Sequence, residues 1–140
     1  MSDSQRFPVA AHVLAYLAHK DALTAASAVS SNELAASVAT NPVVVRRVTA
    51  MLARAGLICT RRGASGGAWL ARPADRIGLD AVLHAVNECA RVGAPRIGSK
   101  ECPLGERLPK AVQAAINAAD EAAARQLGST TVADLLAAAE

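Results

Sequence analysis

The feature that most constrains this chain is a pair of helix-start signals close together, at Ser30 and at Asn41. Ser30 with Glu33 reads as a capping box, in which each side chain satisfies a free backbone N–H at a helix start. Leu34, Ala35 and Val38 then give a short apolar face, which Ala39-Thr40-Asn41 interrupts. Asn41-Pro42 opens a second helix, because Asn is a good N-cap and proline at the first helical position loses no hydrogen bond. Val45, Val48, Leu52 and Ala55 continue at helical spacing until Gly56 supplies a left-handed stop. Two helices meeting at so short a turn describe a helix-turn-helix.

Two strand-like runs follow. Leu57-Ile58-Cys59-Thr60 and Ala68-Trp69-Leu70-Ala71 flank Gly63-Ala64-Ser65-Gly66-Gly67, a hairpin with a flexible tip. Helix-turn-helix plus hairpin makes a winged helix, so the expected fold is mainly α with a small β-hairpin wing. Charge gives the stretch a direction. No acidic residue lies between Glu33 and Asp75, while Arg46, Arg47, Arg54, Arg61, Arg62 and Arg72 all do. A solvated face normally mixes signs, so one-sided charge over adjacent elements is the footprint of phosphate binding.

Composition narrows the partner. The only aromatics are Phe7, Tyr16 and Trp69 in a chain that is 52% hydrophobic, much of it alanine. Closely packed helices suit that composition. RNA and single-stranded DNA do not, since their binders need aromatic platforms for base stacking. The net charge of +3 divides into +4 over residues 1–80 and −1 over residues 81–140, so the basic half is the half with the winged helix. No stretch approaches the roughly 20 apolar residues of a membrane span. The N-terminus does not read as a signal peptide, and three cysteines without one point to a reducing cytoplasm rather than a disulfide framework.

At 140 residues the chain is expected to form one domain, or one domain with an appended helix. Residues 4–19 form an amphipathic helix with Phe7, Val9 or Ala10, Val13, Leu14 and Leu17 on one face. His12 and His19 fall outside that stripe and have no third donor nearby, so no metal is expected there. Residues 22–29 are too alanine-rich to separate loop from continuing helix. Beyond the Arg72-Pro73-Ala74-Asp75 linker, Leu79, Val82, Leu83 and Val86 predict another helix, with Asp80 in its first turn. Gly93, Pro95, Gly98 and Pro103 mark a long loop.

Residues 106–127 carry the longest helical pattern, with Leu108, Val112, Ala115 or Ile116, Ala119, Ala122 or Ala123 and Leu127 on one stripe. Pro109 fits only if it lies in the first turn. No following element is long enough to cover that stripe, so Leu108, Val112, Ile116, Ala119, Ala123 and Leu127 are expected to bury it against a symmetry mate, the alternative being a core helix folded back on the winged domain. Gly128 stops the helix, and Ser129-Thr130-Thr131 caps a short final one through Leu135 and Leu136. The expected organisation is a DNA-binding domain over residues 1–88, a loop over 89–105, and a dimerisation helix with a short C-terminal helix over 106–140.

Asn41-Pro42-Val43-Val44-Val45-Arg46-Arg47, Leu52, Ala55-Gly56-Leu57-Ile58, Gly63 and Gly66-Gly67-Ala68-Trp69-Leu70-Ala71 form a run of motifs. Ile77-Gly78-Leu79-Asp80-Ala81-Val82, Cys102-Pro103-Leu104-Gly105 and Thr131-Val132-Ala133-Asp134-Leu135 extend it over nearly the whole chain. In these motifs the chain resembles the Rrf-two family of bacterial winged-helix regulators. The resemblance implies a homodimer with crossing long helices and operator DNA as ligand. Cluster-binding members have three closely spaced cysteines before the long helix. Here Cys89 and Cys102 lie there and Cys59 falls on the first wing strand, so the chain looks like the branch lacking the iron–sulfur cluster and no cofactor is expected. A thiol redox response through Cys89 and Cys102 is an alternative to two unreactive thiols.

These readings lead to a sequence-specific regulator of double-stranded DNA, expected to act as a homodimeric repressor. Thr40, Asn41, Pro42, Val43, Val44, Arg46 and Arg47 are the candidates at the major groove. Arg61, Arg62 and Ser65 are those for the minor groove or its phosphates. The competing readings are a cluster-dependent sensor of the same family and a winged helix used only for protein interaction. The latter would carry acidic residues across the recognition face, and none is present. An enzyme is not expected. The glycine-rich tip has no following Lys-Ser/Thr and precedes no helix, and no carboxylate pair or Ser/His/Asp set stands out.

Overall fold

The computed structural model describes residues 3–86, 93 and 96–140. The chain order is α1 (Asp3–His19), α2 (Ser31–Val38), α3 (Pro42–Arg54), β1 (Ile58–Arg61), β2 (Gly67–Leu70), α4 (Leu79–Val86), α5 (Pro103–Gly128) and α6 (Val132–Ala139). It is the expected mainly helical architecture with one antiparallel hairpin.

The core forms where the apolar stripes of α1, α3 and α4 meet. Val13, Leu14 and Leu17 from α1, Val45, Val48 and Leu52 from α3, and Val82 and Val86 from α4 are fully buried together with Leu34, Leu57 and Ile77. Burial on this scale removes about 1.5–3 kcal/mol of unfavourable hydration per large aliphatic side chain. Chain reversals at its edge use one device twice. After α3, Gly56 is left-handed (φ 76°), Leu57 N–H donates to Leu52 C=O at 3.0 Å and Gly56 N–H donates to Ala53 C=O at 3.0 Å. After α1, Asp21 is left-handed (φ 50°), Ala22 N–H donates to Leu17 and Asp21 N–H to Ala18. Both are six-to-one and five-to-two closures of a helix end.

Several expectations change in detail. Residues 22–29 are neither plain loop nor helix. Ala25–Ser27 makes one 3-10 turn, and Val29 then pairs with Ala68 through two 2.9 Å backbone hydrogen bonds, adding a third rung beside β2. Both wing strands lie one residue nearer the tip at their turn ends than the hydrophobic runs suggested, in the register Ile58↔Leu70 to Arg61↔Gly67. Ala55 is exposed at the end of α3, and Thr49 takes the buried place, donating its hydroxyl to Arg46 C=O at 3.0 Å. The long helix begins at Pro103, so Pro109 lies in its second turn rather than its first. Proline there removes the helical donor for Gly105 C=O.

The C-terminus closes back on the domain. Val132 N–H donates to Ile77 C=O and Leu79 N–H donates to Thr130 C=O, both at 2.9 Å. Val132 is fully buried in the core, and α6 packs along α1. Thr131 and Asp134 form a complete capping box at the start of α6. Gly78 and Gly128 meet around the Asp80 carboxylate, where a Cβ on Gly78 would collide with it.

Candidate nucleic-acid interface

α3 is held so that one face is fixed and the other is free. The Asn41 side chain accepts from Val43 N–H at 2.9 Å and Pro42 occupies the first helical position, so the helix start is set by its cap. Val45, Val48, Thr49 and Leu52 point into the core, while Val43, Arg46, Arg47, Ala50 and Arg54 form the exposed face. At about 100° per residue, Arg47 lies roughly 30° and Arg46 roughly 70° from the direction opposite the buried stripe. Thr40, Pro42 and Val44 are half-buried and Asn41 is exposed.

The turn before α3 depends on Ala39, a non-glycine residue held left-handed at φ 63°. α2 is positioned from α1 by side chains. Tyr16 O–H donates to Glu33 at 2.9 Å, Lys20 lies 3.5 Å from the same carboxylate, and His12 hydrogen-bonds Ser37 at 2.9 Å. Glu33 therefore spends its carboxylate on α1, and only the Ser30 half of the expected capping box forms, with Glu33 N–H donating to Ser30 Oγ at 3.1 Å. Donation to Glu33, followed by desolvation, holds the Tyr16 phenol above its ordinary range. Periodicity cannot reveal this polar lock, because its members look like ordinary surface residues in sequence.

The wing tip is braced. Gly66 N–H donates to Gly63 C=O at 2.9 Å, and Arg61 Nη2 donates to Ser65 C=O at 3.0 Å. A Cβ on Gly66 would run into the backbone of Arg61 and Arg62, so only glycine closes this tip. Arg61, Arg62 and Ser65 are all exposed. Among the described residues, no ion pair engages Arg46, Arg47, Arg54, Arg61, Arg62 or Arg72. The arrangement presents exposed arginines on the outer face of α3 and on the wing, with no acidic residue in the sequence between Glu33 and Asp75 to oppose them.

The remaining candidates separate. Leu108 and Val112 are more than half exposed, Ala119 and Ala123 are exposed, Ile116 is half-buried, and Leu127 packs against the core. No residue of α5 is fully buried. Cys102 is exposed at the N-cap of α5 and Cys59 is half-buried on β1, on a different element, while Cys89 lies outside the described residues. Among the described residues no three His, Cys, Asp or Glu side chains gather as a metal site. No described helix is long and apolar enough to cross a membrane.

Comparison with known proteins agrees with this surface. The model of the Rrf2 family, described as iron-dependent transcriptional regulators, matches residues 3–138. YwnA of Bacillus subtilis (strain 168), a presumed HTH-type transcriptional regulator, is 30% identical over 134 residues, 95% of this chain and 96% of its own length. A solved structure of a presumed DNA-binding protein is 30% identical, with a TM-score of 0.72 over 94% of this chain and 98% of that one. A presumed transcriptional regulator from Lactobacillus plantarum is 26% identical, with a TM-score of 0.76 over 95% of this chain and 88% of its own. With an acid-free basic helix, a braced wing and a family match over nearly all its length, the chain belongs to the Rrf2 family of transcriptional regulators.

Proposed function

We propose that this regulator binds a roughly palindromic operator as a homodimer and acts as a cytoplasmic repressor. The observation that carries the reading is the set of exposed arginines on α3 and the wing, on a capped helix and a braced tip, in a stretch free of acidic residues from Leu34 to Ala74. In this reading α3 enters the major groove, with Thr40, Asn41, Pro42, Val43 and Val44 at its leading end and Arg46 or Arg47 pairing with guanine O6 and N7. Arg62 and Ser65 reach the minor groove or its phosphates, while Arg61 holds the tip and adds charge. The exposed ridge Leu104, Leu108 and Val112, continued by Ile116, Ala119 and Ala123, is the surface a second copy would cover.

The proposal includes no iron–sulfur cluster, because the sequence lacks three closely spaced cysteines before α5. The thiol response through Cys89 and Cys102 stays secondary to DNA binding. The test is selection of genomic DNA by the purified protein, followed by anisotropy titration of the recovered site and of a scrambled duplex. The proposal expects a palindromic consensus with half-sites about one helical turn apart. It also expects at least 10³-fold preference for the selected site. Equal affinity for both duplexes would refute sequence-specific recognition.

A further inference from the structure

The start of α5 and the segment before it line an open, solvent-facing cavity of about 440 Å³ that shares no lining residue with the DNA-binding face or the proposed dimer ridge. Three cationic side chains, Arg96, Lys100 and Lys110, line it with a single carboxylate, Glu106. None of the three cations has an ion-pair partner among the described residues, so a net charge of about two is left facing one space. Like charges gathered without counter-charge repel, and a bound anion relieves that repulsion.

A second observation points the same way. Ile97 is 92% exposed, the most exposed large hydrophobic side chain described, and it lines this cavity together with the half-buried Pro109. A short apolar group in the cavity would cover it. Part of the wall is backbone held in close contact. Gly98 lies against Gly105 C=O, the carbonyl whose helical donor Pro109 removes, and Gly105 lies against the backbone of Ser99. A Cβ on either glycine would meet backbone, so the close approach that shapes the cavity exists only for glycine.

We propose that this cavity binds a small dianion, a phosphate monoester or a short dicarboxylate, with a compact apolar part against Ile97 and Pro109. The Arg96 guanidinium offers a planar fork to two anionic oxygens, and Lys100 and Lys110 act as point charges around it. Glu106 sets the upper limit of charge, favouring two negative charges over three or more.

The test uses the full chain and two probes, inorganic phosphate and succinate, each titrated at constant ionic strength against sodium chloride. Amide shifts of Gly98 and Gly105 report occupancy, and calorimetry reports affinity. Saturation by either probe at one site per chain supports the proposal, and the tighter probe identifies the anionic group. Arg96→Gln and Lys110→Gln should each weaken binding by about tenfold, with Lys110→Arg restoring it. Arg62→Ala should leave it unchanged, which separates this site from the DNA-binding reading. Shifts that chloride reproduces, shifts that survive both glutamine substitutions, or duplex DNA perturbing the same amides at its DNA-binding affinity would each overturn it.

Discussion

The wing makes a quantitative claim testable, because its two adjacent arginines have different surroundings. Arg61 donates to Ser65 C=O across the tip, while Arg62 is exposed and has no ion-pair partner among the described residues. If Arg46, Arg47, Arg61 and Arg62 each neutralise about one phosphate in both chains of a dimer, roughly eight counterions are released, giving a log–log salt slope near −7. Arg62→Ala removes one such contact per chain and should flatten the slope by about 2. Arg61→Ala should cost affinity by loosening the tip but flatten the slope less, because its guanidinium is partly committed to the protein. Fluorescence anisotropy with a labelled operator between about 50 and 300 mM salt measures both quantities. A parent slope shallower than about −3 would refute the extended cationic face. A larger flattening for Arg61→Ala than for Arg62→Ala would refute the division between brace and contact.

Replacing Val112 and Ile116 with Asp should convert a dimer of 14.3 kDa chains into monomer by light scattering, because the interface would bury unpaired charge. Leu52→Ala should cost about 2–5 kcal/mol in denaturant unfolding, since the Leu52 side chain is fully buried in the core. Gly66→Ala should lower both DNA affinity and the melting temperature, as its added methyl group collides with the backbone of Arg61 and Arg62 and forces the wing tip open. Tyr16→Phe should lower the melting temperature at neutral pH, and the difference should shrink as pH rises. The raised phenol stabilises the fold fully below its unfolded value near 10, and that contribution is lost as pH climbs through the higher folded value.

Much of the helix-turn-helix was legible because its signals are local. The Asn41 cap, Pro42 and the Gly56 stop act through one or two backbone bonds each, so residue type and spacing suffice to place α3. What sequence missed depends on contacts between distant residues. The Val29–Ala68 rung needs a partner 39 positions away, and the docking of Val132 beside Ile77 needs one 55 away. Neither leaves a periodic trace. The candidate site divides along the same line. Arg46 and Arg47 are outward by helical phase alone, whereas the Arg61 brace and the Tyr16–Glu33 lock emerge only once the chain is folded. Pro109 misled for a physical reason as well. Its cost in a helix interior is one lost hydrogen bond to Gly105 C=O, and Pro103 already offers a first-turn proline six residues earlier, so the helix starts before Pro109 rather than at it.

The closure at the C-terminus bears on how a dimer would set operator spacing. Ile77–Leu79 and Thr130–Val132 are hydrogen-bonded to each other, so the end of α5 is tied back to the winged domain at the start of α4. That junction is stiff, with Asp80 packed against Gly78 and Gly128 where side chains would not fit easily. α5 has 26 residues, which at 1.5 Å each makes an arm roughly 39 Å long. Half-sites one helical turn apart are separated by roughly 34 Å, so the arm is of the same length as the distance it would have to span. In the proposed dimer, pairing of two such arms therefore fixes the separation of the two α3 helices through rigid joints rather than flexible linkers. Adding or deleting a single base pair between half-sites rotates one of them by about 36° and should sharply reduce affinity. A tolerance of such changes, measured on duplexes that differ only in spacer length, would show that the arms bend or that the two reading heads act independently.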